Sequence, residues 1–417
     1  MRRPRLPGAY RELLASPPTR LLLGGLGVSS LGDGISTVTI AWLAVGIAPA
    51  GSLGLYVGLA VAAYTLPGVI GALTLGPLLR GRPARAMVLV HSVLRAGSLG
   101  LIAALAAIGA LNPAAYLALL AISSLMAAWG NAGEYTMLSA LAGPNGRFAL
   151  NSLASAQSSL AYIVGPFLAG LLLTIFSPGW ILLLDAASFV VLGLAAWLTR
   201  ANAGAADGPV DLRAAETGFR LLQRRDLLSL TALTWVFFFL YGPVEVALPV
   251  YVAHDLDASA QLLAAYWTAF GVGALASNLL TGALQAGNLR RVALLIVAGW
   301  GACLLPFLGA PIPVTLVFFG LGGVVYGPFV PLTLSLYQAA TTEPNLPSLL
   351  AARSAVMLVS TPLGTALGGP IVGALGGAGT LVVSGVATML LAGAAALAWR
   401  ESAPEHRGRQ EDRSPSP

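Results

Sequence analysis

Residues 76–85 read GPLLRGRPAR, and residues 282–291 read GALQAGNLRR. Each stretch is a short basic segment between two long apolar segments, and the second begins 206 positions after the first. The equivalent positions are Gly76 and Gly282, Gly81 and Gly287, and Arg85 and Arg291. A basic turn that recurs at this distance predicts two halves with the same fold.

The composition around these turns predicts a membrane protein. Hydrophobic residues make up 57% of the chain and charged residues 9%, against about 25% charged residues in soluble domains. The 50 glycines and 27 prolines fit closely packed helices in a chain this apolar. Apolar segments of about 20 residues, enough to cross a bilayer, recur from Leu21 to Trp399. We therefore expect an all-α polytopic membrane protein.

Twelve transmembrane helices are predicted, six in each half. In the first half they cover 20–47, 54–79, 86–108, 114–140, 155–176 and 179–198. In the second half they cover 227–252, 261–284, 292–309, 313–338, 350–374 and 380–399.

Arginine is segregated between the two sides of these helices. All 22 basic residues are arginines, and the turns on one side, such as APAGSL and GALNPA, contain none of them. Because cytoplasmic loops accumulate positive charge, both termini are predicted to be cytoplasmic in a multi-pass protein of the cell membrane. The same pattern explains the net charge of +6 without a nucleic-acid partner.

The repeat extends beyond the basic turns and defines the domains. Arg147 corresponds to Arg353, and GPFLAG at 165–170 corresponds to GPIVGA at 369–374. We expect two pseudo-symmetric six-helix bundles, a linker with a short amphipathic helix and two cytoplasmic tails, the second disordered. The predicted boundaries are 1–19, 20–199, 200–226, 227–400 and 401–417.

Two such halves resemble the architecture of the major facilitator superfamily. GPLLRGRPAR is similar to that family's signature between helices 2 and 3, although the usual Asp is absent and Arg80 or Gly81 occupies its region. Four segments resemble the drug/macrolide and siderophore exporter branch: SSLGDGISTVTIAWLAV at 29–45, NSLASAQSSLAYIVGPFLAGLLL at 151–173, LLDAASFVVLGLAAWL at 183–198 and ETGFRLLQRRDLL at 216–228.

The resemblance implies a proton-coupled exporter, an antiporter of amphipathic small molecules such as drugs or macrolides. Its partners would be the substrate, protons and membrane lipids, and it would act as a monomer without a cofactor. The alternatives are a facilitator-type exporter of a siderophore or another metabolite, and a membrane sensor with this fold that does not transport.

No enzyme or metal signature is present in the sequence. The phosphate-binding pattern GxxxxGK[ST] and the zinc pattern HExxH are both missing. The three histidines, His91, His254 and His406, do not form a cluster in the sequence. We expect neither an enzyme nor a metal site.

Asp33 is the first candidate for proton coupling. It lies near the middle of helix 1, where an ionised group is costly and is seldom kept without a function. The resemblance places helix 1 along the central cavity. The alternative is a local hydrogen bond that kinks the helix within LGDG at 31–34.

Glu134 on helix 4 is the second candidate for proton coupling. Arg95 on helix 3 reaches a similar depth, so the two are predicted to form an ion pair. His91 lies one turn from Arg95 on the same face and is a possible relay or a packed residue. Asp185, in the second predicted turn of helix 6, is expected to be structural.

Glu245 near the outer end of helix 7 lies between Pro243 and Pro249, which weaken a helix. It is predicted to line the substrate cavity or, alternatively, to lie exposed on its rim. Aromatic side chains also mark a pocket for flat or cationic molecules. The wider set is Trp42, Tyr64, Trp129, Tyr135, Tyr162, Trp235, Tyr241, Tyr266, Trp267, Tyr326 and Tyr337. The predicted cavity residues on helices 1, 4, 7 and 10 are Trp42, Trp129, Tyr135, Trp235, Tyr241 and Tyr326.

Two further groups are predicted to act in conformational change. The cytoplasmic hinge consists of Gly76, Gly81, Arg82, Arg85, Gly282, Gly287 and Arg291; alternatively its arginines only fix topology and bind anionic lipids. The helix-kink group consists of Gly165, Pro166, Gly170, Gly369 and Pro370, where small residues permit a bend or close helix contact.

Overall fold

The computed structural model describes residues 15–75, 79, 82–199, 218–280, 288–341 and 345–401. Most of both predicted tails and of the linker lies outside the described residues, so the domain boundaries stay predictions. A short helix at 218–222 falls within the segment for which we expected an amphipathic helix. Its Leu222 is buried with Leu227, Leu230, Tyr337 and Leu349.

In the first half, the described residues form six long α-helices. They are α1 Pro17–Ile47, α2 Leu53–Thr74, α3 Ala84–Ala107, α4 Pro113–Ser124, α5 Ala127–Leu172 and α6 Pro178–Leu198.

In the second half, the part of the chain that the structure describes forms seven α-helices and two short helical turns. The α-helices are α7 Arg225–Val250, α8 Ala260–Leu280, α9 Leu289–Cys303, α10 Ile312–Tyr326, α11 Phe329–Ala339, α12 Leu346–Met357 and α13 Ser360–Glu401. A π-helical turn, Tyr251–Asp255, extends α7, and a 3₁₀ turn, Leu305–Leu308, extends α9.

Helix α5 contains two spans that run in opposite directions. It has 46 residues, about 69 Å if straight at 1.5 Å per residue, more than twice the hydrocarbon thickness of about 30 Å. In the first part of α5, Gly130 packs against His91 and Gly133 packs against Ala84. This part therefore runs antiparallel to α3. In the second part of α5, Gln157 contacts Leu23 and Ala161 contacts Gly34. This part therefore runs parallel to α1. Because α1 and α3 run the same way, the two parts of α5 are antiparallel.

Helix α13 likewise contains two spans and reverses at Gly376. Its first part runs parallel to α7, because Gly364 packs against Phe239 and Gly368 packs against Pro243. Its last part runs antiparallel to α7, because Ser384 Oγ donates to the Leu240 carbonyl and Trp399 Nε1 donates to Ser229 Oγ. Gly376 has a φ of 72°, a conformation that costs glycine little. Asp255 stabilises the turn by accepting a hydrogen bond from the Ala378 amide at 2.8 Å.

The described residues therefore fit twelve spans. Nine apolar stretches are long enough to cross a bilayer, and one of them, Ala352–Trp399, contains two spans. The second part of α5 and the helix α8 complete the twelve. Three predicted helices are interrupted: helix 4 between α4 and α5, helix 10 between α10 and α11, and helix 11 between α12 and α13.

Glycines bring the two halves into contact on the side of the molecule opposite the termini. A Cβ on Gly58 of α2 would lie 2.6 Å from the Gly369 Cα of α13, so these helices touch backbone to backbone. Gly170 of α5 packs against the Cβ of Ala264 on α8. Both contacts lie near the helix ends that follow or precede the arginine-free turns. The halves thus meet on this side and enclose a cavity nearer the centre.

Candidate functional site

A cavity of about 450 Å³ lies between the two halves. Its wall is formed by α1, α2, α3 and α5 of the first half and by α7, α8 and α13 of the second, with Leu358 after α12. The charged or titratable residues among its described lining are Asp33, Tyr64, His91, Arg95 and Glu245. Its volume lies in the range of small-molecule pockets.

Asp33 lies in this wall at the centre of a three-residue polar cluster. Arg95 Nη2 of α3 donates to Asp33 Oδ1 and to the Tyr64 hydroxyl of α2. The Tyr64 hydroxyl in turn donates to Asp33 Oδ1 at 2.9 Å. The guanidinium also lies over the rings of Tyr64 and Phe189, at 4.2 and 5.0 Å from their centroids. The cluster holds a cation and an anion together near the middle of α1.

The accessibility of the two charges differs. The Asp33 side chain is 42% exposed, whereas the Arg95 side chain is 6% exposed. Asp33 therefore faces the cavity, where water or substrate can reach it, while Arg95 is buried behind it. Its carboxylate bonds to other helices, so the alternative of a local bond within residues 31–34 does not describe it.

Small residues on the other faces of α1 explain this orientation. A side chain on Gly32 would collide with Asp185 and Ser188 of α6, and one on Gly34 would collide with the Ala161 carbonyl. Helix α1 therefore packs against α6 and α5 through its glycines, and Asp33 between them points to the cavity. Asp185 is buried and accepts hydrogen bonds from Ser36 at 2.5 Å and Ser188 at 3.1 Å.

Glu134 and His91 border a second, smaller cavity of about 170 Å³. Glu134 is buried, and its Oε1 lies 3.9 Å from His91 Nδ1. The predicted Arg95–Glu134 ion pair is wrong, because Arg95 instead bonds to Asp33. His91 occupies the space above Gly130 and packs edge-on against Phe189, with the ring centroids 5.3 Å apart.

Glu245 lines the central cavity from the second half. Thr365 Oγ1 of α13 donates to Glu245 Oε2 at 3.2 Å. The alternative of a carboxylate on the exposed rim is therefore wrong. Trp267 of α8 and Pro249 of α7 line the same cavity.

The aromatic residues predicted for the cavity mostly lie elsewhere. Tyr241 and Tyr326 belong to a cluster of rings in the second half, 5.4 Å apart by centroid. Trp235 stacks on Phe239, Trp129 donates to the Gly71 carbonyl, and Trp42 packs against the apolar core. Tyr135 borders the smaller cavity.

Tyr64 and Trp267 are the aromatic residues in the described lining of the central cavity. Both belong to the wider aromatic set of the sequence analysis, but neither is among the aromatic residues predicted to line the cavity from helices 1, 4, 7 and 10. The sequence does contain a feature that favours Tyr64. Its hydroxyl group needs a polar partner within an apolar helix, and Asp33 lies at a matching position along α1.

The predicted hinge and helix-kink groups lie partly within the described residues. Gly76, Gly81, Gly282 and Gly287 lie outside the described residues. Arg82 is exposed, Arg85 Nη2 donates to the Trp197 carbonyl at 2.6 Å, and the Arg291 amide donates to Asn288 Oδ1 at 3.3 Å. Helical structure continues through Pro166 and Pro370, while Gly165 packs against Gly34 and Gly369 against α2. The glycines therefore serve close helix contacts, and their role in bending stays a prediction.

The described residues contain no group of three His, Cys, Asp or Glu side chains that is placed to hold a metal ion. The cavity wall instead carries the Asp33 carboxylate paired with the Arg95 guanidinium, and a second carboxylate, Glu245, from the other half. These groups can bind and exchange charged species.

The sequence profile of the Major Facilitator Superfamily matches residues 22–267 and 227–417. The chain is similar to the multidrug efflux pump Tap of Mycolicibacterium fortuitum, with 27% identity over 85% of this chain and 89% of that protein. An uncharacterized MFS-type transporter of Sinorhizobium fredii (strain NBRC 101917 / NGR234) is 28% identical over 63% of this chain and 66% of that protein.

Solved structures share the fold. The D-xylose-proton symporter superposes with a TM-score of 0.68 at 16% identity, covering 93% of this chain and 98% of that one. The nucleoside transporter NupG superposes with a TM-score of 0.68 at 15% identity, covering 91% of this chain and 99% of that one.

Proposed function

We propose that this chain, which belongs to the major facilitator superfamily, exports amphipathic small molecules across the cell membrane in exchange for protons. The observation that carries the proposal is the cluster of Asp33, Arg95 and Tyr64 in the wall of the central cavity. A carboxylate that is both ion-paired and accessible can gain or lose a proton in response to the contents of the cavity.

The charge balance of the cavity favours a basic substrate. With both acids ionised and His91 neutral, Asp33, Arg95 and Glu245 give the described lining one net negative charge. Protonation of Asp33 removes that negative charge, and charges interact strongly where water is scarce. A cation would therefore bind best when Asp33 is ionised and would leave when Asp33 is protonated. The two ligands compete through the field of the cavity, even if the substrate never touches Asp33.

Arg95 gives Asp33 two alternative states. When Asp33 is ionised, Arg95 neutralises it; when Asp33 takes a proton, the guanidinium keeps the Tyr64 hydroxyl and the two aromatic faces as partners. An antiporter needs a site whose preference differs between two states. This cluster supplies such a site with one proton.

The direction of transport rests on the arginine pattern and on the glycine contacts. The segregation of arginine supports cytoplasmic termini, and the halves meet on the side opposite the termini at Gly58–Gly369 and Gly170–Ala264. A cavity closed to the outside can take substrate from the cytoplasm or from the inner leaflet. The 27% identity to a multidrug efflux pump supports export of drug-like molecules in preference to the alternatives of a metabolite exporter and a sensor.

The test is proton-driven transport by the purified protein in liposomes. With an imposed pH gradient, the permanent fluorescent cation rhodamine 6G should move against the direction of proton flow. Asp226→Asn is a matched control, because Asp226 is an acid bound to Arg224 at the helix end, away from the cavity. Equal accumulation with and without the gradient would rule out proton coupling, and no accumulation of any tested drug or metabolite would favour a sensor.

A further inference from the structure

The smaller cavity extends from Asp33 toward the side that carries the termini. It shares Asp33, His91 and Asn131 with the central cavity, and it is also bordered by Ser29 and Ser30, which precede Asp33 on α1. Tyr135, a lining residue that is 54% exposed, marks the end at which it approaches the protein surface. The two cavities therefore touch Asp33 from different directions.

The walls of this smaller cavity suit water and protons better than an amphipathic substrate. Seven of its described lining residues are polar: Ser29, Ser30, Asp33, His91, Asn131, Glu134 and Tyr135. Its volume of about 170 Å³ can hold several waters at about 30 Å³ each. It is smaller than the roughly 300–1,000 Å³ usual for ligand pockets.

His91 stands where the two cavities meet. It is buried, and neither of its ring nitrogens has a hydrogen-bond partner among the described residues. A buried polar group without a partner calls for an explanation such as water or a catalytic role. Its Nδ1 lies 3.9 Å from Glu134 Oε1, too far for a direct hydrogen bond but within reach of a small shift or a bridging water.

We infer that the smaller cavity is the proton pathway of this transporter, with Glu134 as its exit group, separate from the central cavity that holds the substrate. In one turnover the Asp33 O–H bond breaks, and the proton passes by water and the imidazole of His91 to the Glu134 carboxylate. Glu134 becomes a carboxylic acid and then releases the proton to bulk water near Tyr135. Arg95 pairs again with the Asp33 carboxylate, so every charge and proton is accounted for.

The groups facing this pathway set its electrostatics. Asp33 on α1 and His91 on α3 border the same cavity as Glu134, and Arg95 binds Asp33 from behind. Asp185 of α6 lies against Gly32 on the far side of α1, held by Ser36 and Ser188. A separate pathway has a physical advantage, because a substrate filling the central cavity would block water from reaching Asp33 on that side.

The inference rests on the proposed function, and two measurements keep them apart. The first is the affinity of the purified protein for rhodamine 6G as a function of pH, which reports Asp33. The second is the rate of proton release when rhodamine 6G is mixed with the protein, followed by a pH-sensitive dye in weak buffer. Glu134→Gln should keep the pH-dependent affinity but slow proton release by about tenfold or more, roughly 1.4 kcal/mol in the barrier.

Two substitutions block the pathway without touching its acids. Ala154→Leu and Ser30→Leu each add bulk at residues that line only the smaller cavity, so both should slow proton release at unchanged affinity. Using both protects against failure of the buried Ala154 variant to fold. Ala128→Leu is the matched comparison, because Ala128 lines only the central cavity, and this variant should lower the affinity for rhodamine 6G.

Wild-type rates of proton release in Glu134→Gln and in Ser30→Leu would overturn the pathway and leave the proposed function standing. Loss of pH-dependent affinity in Glu134→Gln would also overturn it, since Glu134 would then be the coupling site itself. No proton release from the wild-type protein would overturn the proposed function, and with it the pathway.

Discussion

The two halves of the molecule share a backbone plan and differ in what they bury. The first half encloses charged and titratable groups around α1 and α3. The second half encloses rings around α8 and α9, with Phe270 5.4 Å from both Trp300 and Tyr326 by centroid. Among the described residues of the first half, the acids, histidine and arginine that are buried or face a cavity include Asp33, His91, Arg95, Glu134 and Asp185. Duplication of a fold thus preserves helix packing, whereas the interiors of the copies can take on different chemistry.

What the halves keep in common lies at the helix ends near the termini. Arg85 at the start of α3 donates to the Trp197 carbonyl at the end of α6. Arg290 at the start of α9 lies over the Trp399 ring near the end of α13, 5.6 Å from the ring centroid. Each half thus ties a basic helix start to the end of its last helix. We therefore expect coupling to reside in the first half, recognition of the substrate in both, and the shared contacts to affect mainly rates.

The largest effect is expected from Asp33→Asn, which removes the proposed coupling carboxylate of the first half. The amide mimics the protonated acid and leaves Arg95 without its anion, so proton-driven efflux of rhodamine 6G should be abolished. Because a proton bound at Asp33 would repel a cationic substrate, the affinity of the wild-type protein for rhodamine 6G should rise with pH, and the variant should lose this dependence. The measurement is rhodamine 6G affinity across a pH series.

The matched control for Asp33→Asn is Asp185→Asn, which changes a buried acid on the other side of α1. An unchanged pH dependence in Asp33→Asn would place the coupling proton elsewhere, and its loss only in Asp185→Asn would identify that site.

A smaller effect is expected from Glu245→Gln in the second half. Glu245 has Thr365 as a hydroxyl partner and shares the cavity with Trp267, so it can attract a cation without pairing with a resident arginine. Affinity for rhodamine 6G should fall about tenfold, which corresponds to about 1.4 kcal/mol, while the pH dependence remains. Binding of the neutral ligand triphenylphosphine oxide should change little.

Thr365→Val separates the carboxylate from its hydroxyl partner and serves as the control for Glu245→Gln. It removes the hydrogen bond but keeps the charge, so cation affinity should be retained. Equal losses for the cation and the neutral ligand in Glu245→Gln would mean that Glu245 shapes the cavity and does not recognise charge.

The fold could be predicted because its determinants are patterns along the chain. Arginine segregation and the repeat from Gly76 to Gly282 suffice for twelve spans in two halves. The same patterns do not predict the interruptions of helices 4, 10 and 11. Gly327 and Pro328 separate α10 from α11, yet the apolar sequence continues through them and gives no change of hydropathy to signal a break.

For the site, the sequence predicts how far along its helix each residue lies, but not which way its side chain points. Counting residues along α1 put Asp33 at the middle of the membrane, and the structure places it in the cavity wall. Counting does not tell which side of α3 Arg95 faces, so it predicts a pair with Glu134, at a similar depth, in place of the observed pair with Asp33. The aromatic choice failed for the same reason: Trp42 lies on a cavity helix but packs into the core, whereas Tyr64 on α2 reaches Asp33.

The smallest effect is expected where the halves are alike, at the basic helix starts. Arg85→Ala removes a hydrogen bond to the last carbonyls of α6, and Arg290→Ala removes a cation–π contact of about 0.5–1 kcal/mol at an exposed site. Each should slow rhodamine 6G transport a few-fold while leaving its affinity unchanged, because these contacts lie far from the cavity. Arg82→Ala is the control, since Arg82 is exposed and carries the same topological charge. If all three variants transport at the wild-type rate, these arginines only orient the chain in the membrane; if only Arg85→Ala is slow, the first half alone moves against its last helix, and the functional difference between the halves extends to their ends.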